Sequence, residues 1–136
     1  MRNPGRPLSP HLSIWRWGPH MLVSILHRAT GTALALGGGI LLTWWLAAAA
    51  SGASAYGRFV DLMTSDESGR LNWLPALVLV GITWSFFQHM SSGIRHWVLD
   101  TGAGYELKTN KMWAIATLVI STTLTVLFWA AIFSRG

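Results

Sequence analysis

Two clusters of polar side chains interrupt an otherwise apolar sequence. Ser24, His27, Arg28 and Gly31 are spaced i, i+3, i+4, i+7. Ser85, His89, Ser92, Gly93 and His96 are spaced i, i+4, i+7, i+8, i+11. On a helix each set shares one face. Residues 71–94 carry no charged side chain, and an uncharged apolar run of that length reads as a transmembrane helix. A histidine inside such a helix is costly and by default marks a functional site. Imidazole is a usual axial ligand of haem iron.

Each cluster also has a plainer reading. His89 is either a cofactor ligand or a hydrogen-bonded packing residue. Arg28 either faces a ligand or snorkels to the interface from about two turns inside its helix. Depth connects the clusters. His27 lies about six residues into its span and His89 about eight residues from the same-side end of the next, both roughly 9–12 Å deep at the helical rise. Equal depth points to one shared site between two helices. A haem set edge-on to the membrane places its iron at His89 and its propionates toward Arg28, His27 or His96, since such donors suit carboxylates. Gly93, one turn from His89, offers a porphyrin a flat surface. Gly31, Ala35 and Gly39 form a stripe of small residues of the kind that lets helices or a flat cofactor approach.

The elements that must hold these residues are three spans, about 21–48, 72–97 and 112–133. They follow an interfacial N-terminal segment, 1–20, whose Trp15 and Trp17 suit a membrane boundary. The loops, 51–70 and 101–111, are short and polar. Thr117, Ser121, Thr122, Thr123 and Thr125 make the third span a structural one whose hydroxyls return to helix carbonyls. The reading is an all-α membrane protein, with residues 1–136 forming a single membrane-anchor domain.

Composition agrees. The 136 residues are 51% hydrophobic and 11% charged, against roughly a quarter charged in soluble domains. No cysteine is present, which excludes thiolate metal sites, iron–sulfur ligation and thiol nucleophiles. The net charge of +5 reads as basic residues flanking spans, not as a nucleic-acid surface. Arg2, Arg6, Arg16, Arg95, Lys108 and Lys111 lie on one side, and Arg58, Arg70 and Arg135 on the other. The positive-inside rule then puts the N-terminus in the cytoplasm. The first residues form no signal peptide and are short for a transit peptide. A multi-pass protein of a bacterial inner membrane, rather than of the mitochondrial one, is the expectation.

Three blocks carry a resemblance: residues 6–12 (Arg-Pro-Leu-Ser-Pro-His-Leu), residues 24–31 (Ser-Ile-Leu-His-Arg-Ala-Thr-Gly), and residues 89–100 (His-Met-Ser-Ser-Gly-Ile-Arg-His-Trp-Val-Leu-Asp). In this order they resemble the cytochrome b subunit of succinate dehydrogenase, the larger membrane anchor of complex II. The resemblance implies three helices packed with a second membrane-anchor subunit into a haem-binding bundle. It implies a flavoprotein and an iron–sulfur partner, and electron transfer from succinate to ubiquinone. Ser24 and Arg28 would then be quinone-site residues. His89 would be one axial ligand of haem b, the second coming from the other anchor. His27, Arg28 and His96 would lie near the propionates, and Asp100 near the quinone end. The chain alone would have no activity. Two competing readings are a haem-free structural anchor and a self-contained cytochrome using His27 and His89 as both iron ligands.

Overall fold

The computed structural model describes residues 5, 15–65 and 70–134. The 6–12 block lies outside the described residues. Three long apolar helices run Pro19–Ala50, Trp73–Asp100 and Leu107–Phe133, each long and apolar enough to cross a membrane. At about 1.5 Å per residue they measure roughly 48, 42 and 40 Å. They exceed a hydrocarbon core about 30 Å thick, so their ends reach the interfaces or the helices tilt. This is a multi-pass, all-α membrane protein.

Local chemistry sets the ends. Pro19 opens the first span just after Gly18, where a missing N–H costs nothing. Gly102, at φ +84°, follows the second span, and its N–H donates to the Leu99 carbonyl at 2.9 Å. Glycine adopts this left-handed closure without a Cβ penalty. The third span then begins at Leu107, so Lys108 and Lys111, expected in a loop, stand on its first turns.

The first span is not a uniform α-helix. Ala33–Gly38 is wound as a π-helix, which shifts the register of everything after it. The small-residue stripe therefore does not persist as one packing face. Gly31 meets the second span, whereas Ala35 is exposed and Gly39 has no neighbour where a Cβ would stand. Gly37 instead approaches Ile82, whose Cδ1 would lie 3.2 Å from an added Cβ.

The 51–70 connection differs from the loop expected of it. Ala53–Met63 is a helix. Tyr56, Phe59, Val60 and Met63 fall at i, i+3, i+4, i+7 and give it an apolar stripe. Phe59 meets Trp44 edge-on at 4.9 Å. A two-residue antiparallel pairing, Thr64–Ser65 with Arg70–Leu71, closes the turn. Asn72 ties it to the second span by donating from Nδ2 to the carbonyls of Leu62 and Thr64.

The interior is polar and the outside apolar. Thr30, Ser85, Gln88, Ser92, Thr117, Ser121 and Thr125 are buried, whereas Leu77, Phe86, Ile94, Val119, Val126 and Leu127 are exposed. Lipid tails are as apolar as leucine, so helices in a bilayer associate through small residues and interhelical hydrogen bonds. Here the Ser121 hydroxyl donates to Gln88 Oε1 at 2.6 Å and Trp84 Nε1 donates to Thr122 at 3.4 Å. Each Ser or Thr on the third span's inner face also returns its hydroxyl to a helix carbonyl.

Candidate functional site

The first and second spans bring three imidazoles together. The rings of His27 and His89 stack at 4.0 Å with planes 8° apart. His96 lies 4.8 Å from His27, tilted by 59°.

Hydrogen bonding decides which nitrogens are free. His89 Nδ1 lies 3.0 Å from the backbone carbonyl of His27. A carbonyl only accepts, so Nδ1 carries the proton, and a neutral His89 keeps its lone pair on Nε2. Thr30 Oγ1, at 3.4 Å, shares that proton, while its own hydroxyl donates to the Leu26 carbonyl at 2.7 Å. An N–H held by a backbone carbonyl is the usual support behind a metal-bound imidazole.

His27 is held differently. Its Nδ1 lies 2.8 Å from Ser92 Oγ. The Ser92 hydroxyl donates to the Gln88 carbonyl at 2.7 Å, so it accepts from His27. Ser92 has one proton and two places to send it. Turned toward His27, the hydroxyl donates to the Nδ1 lone pair of the other tautomer, whose Nε2–H is then available to donate elsewhere.

The glycines take specific parts. A Cβ on Gly31 would sit 2.9 Å from His89 Cε1 and 3.3 Å from Nδ1, closer than real contacts allow. Only glycine lets the His89 ring lie against the first span here. A Cβ on Gly93 would meet His27 at 3.9 Å, an ordinary contact. The glycine that lies against the His89 ring is Gly31, and Gly93 lies near His27.

Ser24 is half-buried and Arg28 exposed on the outer side of the first span. Among the described residues neither has a side-chain hydrogen bond or ion pair. Asp100, the last residue of the second span, is exposed and pairs with neither Arg28 nor Arg95. Arg95 is buried, with 7% of its surface exposed. Among the described residues no group of three His, Cys, Asp or Glu side chains is arranged to hold a bare metal ion, so the three histidines are not a chelate.

Residues 2–128 match the family model described as the succinate dehydrogenase/fumarate reductase transmembrane subunit. The chain belongs to this family. It is 36% identical over 122 residues to the succinate dehydrogenase cytochrome b556 subunit of Paracoccus denitrificans, covering 90% of this chain and 88% of that protein. It is 34% identical over 128 residues to the Rickettsia felis protein of the same description, covering 91% and 90%. It is 28% identical over 130 residues to the mitochondrial cytochrome b560 subunit of Sus scrofa, covering 89% and 68%. The resemblance carried by the 24–31 and 89–100 blocks thus extends along the chain. This is a cytochrome b membrane subunit of the succinate dehydrogenase kind.

Sequence reasoning missed Gln88, Thr30 and the burial of Arg95. Gln88 and Thr30 carried a signal of a sort, being polar groups inside an apolar span. At the end of an apolar run Arg95 reads as a boundary charge, and only the three-helix packing shows it enclosed.

Proposed function

We propose that this subunit binds haem b through His89 and helps form the ubiquinone-reduction site of a succinate:quinone oxidoreductase. The observation that carries the haem reading is the His89 Nδ1 donation to the His27 carbonyl, 3.0 Å. It leaves Nε2 as the coordinating nitrogen, and Gly31 leaves room for the ring. The donor set therefore fits the group. A second axial ligand would come from the second membrane-anchor subunit, since the stacked arrangement of His27 and His89 does not suit His27 to that part. Two imidazoles holding one iron between them would each aim a ring nitrogen at it, whereas His27 and His89 lie face to face at 4.0 Å. This argues against a self-contained di-histidine cytochrome.

His27, Arg28 and His96 suit the propionates. For His27 to donate from Nε2, the Ser92 hydroxyl turns from the Gln88 carbonyl to His27 Nδ1. Haem b, when bound, supplies a one-electron store whose potential depends on its ligands and burial.

Ser24 and Arg28 point outward, without a side-chain partner among the described residues, and suit a pocket completed by other subunits. Quinone reduction consumes two electrons and two protons. The electrons originate in succinate and arrive through the flavoprotein and iron–sulfur subunits. Ser24 donates a hydrogen bond to one quinone carbonyl. Arg28 stabilises the negative charge that builds on it, as a preorganised cation does in a partly dry site. Protons enter from the nearby aqueous side. The N-terminus faces the cytoplasm of a bacterium, and the chain by itself has no activity.

Replacing His89 by Ala in the assembled complex tests the reading. The reduced-minus-oxidised haem band, measured per flavin, should be lost. If the band stays at wild-type intensity, His89 is not a ligand. If the wild-type complex itself has no band, the haem-free anchor is correct, and the His89–His27 bond is only interhelical attachment.

A further inference from the structure

A second cavity lies on the other side of the second span, between it and the third. It encloses about 220 Å³ and is lined by Met90, Ile94, Val98, Leu99, Trp113 and Ile120, with Arg95 among them. None of these residues takes part in the histidine cluster. The wall is mostly apolar, with the hydroxyls of Ser91 and Thr117 and one buried cation as its polar members.

Arg95 is poorly satisfied. One terminal nitrogen donates to Asn110 Oδ1, while Nε is buried without a partner. Among the described residues no carboxylate forms an ion pair with it. A guanidinium enclosed without a countercharge is strongly unfavourable, and such groups are normally paired. The positive charge is therefore half of an interaction whose anionic half lies outside the described residues.

Position and size narrow the partner. Arg95 sits five residues before the end of the second span, about 7–8 Å along the axis, which is the depth of a lipid's glycerol and upper chain. Lys108 and Lys111, exposed on the first turns of the third span, add positive charge at the same end. From Leu99 to Met90 the cavity follows the helix inward by about 14 Å. Its volume is below the roughly 300–1,000 Å³ of sites that enclose a whole small ligand. It holds one part of a molecule whose remainder lies in the bilayer. Basic pockets between transmembrane helices at the positively charged face recognise anionic lipid headgroups.

We propose that this cavity is a binding site for an anionic phospholipid, with one acyl chain against Ile94, Val98 and Ile120 and the phosphate drawn to Arg95. The lipid neutralises the buried guanidinium and fills the gap between the second and third spans. The site is separate from the haem and quinone reading and stands without it.

The test uses the whole purified complex, washed free of lipid in detergent and offered phosphatidylglycerol or phosphatidylcholine. Native mass spectrometry counts retained lipid, and a melting curve reports stability. The wild type should retain phosphatidylglycerol in preference to phosphatidylcholine and melt higher with it. Arg95→Gln keeps a donor for Asn110 but removes the charge. It should lower phosphatidylglycerol retention about fivefold, the worth of one cation facing an anionic lipid, and abolish the preference. Ile120→Trp fills the chain slot and leaves Arg95 in place, so it should reduce retention of both lipids, and it carries the test if Arg95→Gln fails to assemble. Equal retention of the two lipids by the wild type overturns the proposal. So does unchanged retention in both variants, or a crosslink showing Arg95 paired with a carboxylate of another subunit.

Discussion

His89 Nδ1 donates to the backbone carbonyl of His27 across the first and second spans, 3.0 Å. The acceptor belongs to the backbone, so no side-chain replacement at His27 removes it. The two histidines should therefore respond unequally. His89→Ala removes the nitrogen proposed to hold haem and should eliminate the haem band. His27→Ala removes a stacked ring but keeps the carbonyl that fixes the His89 tautomer. It should keep a low-spin haem at reduced occupancy, measured as haem per flavin in the purified complex. Equal loss in both variants would make His27 a ligand and overturn the assignment.

Gly31 is the position where the first span yields to the His89 ring. Adding a Cβ places it 2.9 Å from Cε1, so either the helix or the ring must move. Gly31→Ala should cost about 1–3 kcal/mol, the usual penalty of overpacking, and broaden or shift the haem absorbance. Gly93→Ala, with a 3.9 Å approach to His27, should leave both melting and spectrum close to wild type. The contrast between the two glycines is the measurement, since a general intolerance of alanine would affect both.

Ser92 is fully buried and links His27 Nδ1 to the Gln88 carbonyl. Ser92→Ala leaves His27 Nδ1 without the hydroxyl that holds its ring and tautomer. Loss of an outer hydrogen-bond partner typically lowers affinity at a bound centre by about 10–100-fold. On the proposed reading His27 would touch the haem periphery and not its iron, so the lower end is expected, read as haem lost on dilution or detergent washing. Ser92→Thr retains the hydroxyl and should recover most of that retention. If Ala and Thr behave alike, Ser92 serves packing and not the orientation of His27.

The contrast between what the pattern revealed and what it concealed is physical. His27 and His89 were recognisable because a charged or imidazole group in an apolar span needs a partner, and equal depth left few candidates. The spans were legible from the absence of charge. The helix at Ala53–Met63 was hidden by its Gly, Ser and Asp residues, although Tyr56, Phe59, Val60 and Met63 held the helical period. Which imidazole each of Gly31 and Gly93 lies against depends on the lateral packing of two helices, which spacing along one helix does not contain. The π-wound Ala33–Gly38 segment likewise broke a stripe that assumes a constant turn.

Ser24 and Arg28 carry the quinone reading, and a two-assay comparison isolates it. Ser24→Ala and Arg28→Leu should slow succinate-dependent quinone reduction, by about 10²–10³-fold where a preorganised donor to the developing charge is lost. Succinate oxidation by a soluble dye, which draws electrons before the membrane, should stay at the wild-type rate. Haem content should fall little in Ser24→Ala. Wild-type quinone reduction in both variants would remove the two residues from the substrate site.

Gln88 offers a test of how the bundle is held. It is fully buried, with Oε1 accepting from Ser121 and Nε2 unpartnered. A buried donor without a partner costs about 1–3 kcal/mol, while interhelical hydrogen bonds in membranes average only about 0.6 kcal/mol. Gln88→Leu preserves most of the volume and removes the unpartnered amide. Ser121 still donates to the Leu118 carbonyl at 3.0 Å, so no new unsatisfied group appears there. The complex should melt within a few degrees of wild type, or higher. Gln88→Ala removes the same bond and also opens a void, which should cost about 2 kcal/mol or more. Both variants delete one hydrogen bond, so the difference in melting between them reports packing alone. If Leu destabilises as much as Ala, the Gln88–Ser121 bond itself holds the second and third spans together.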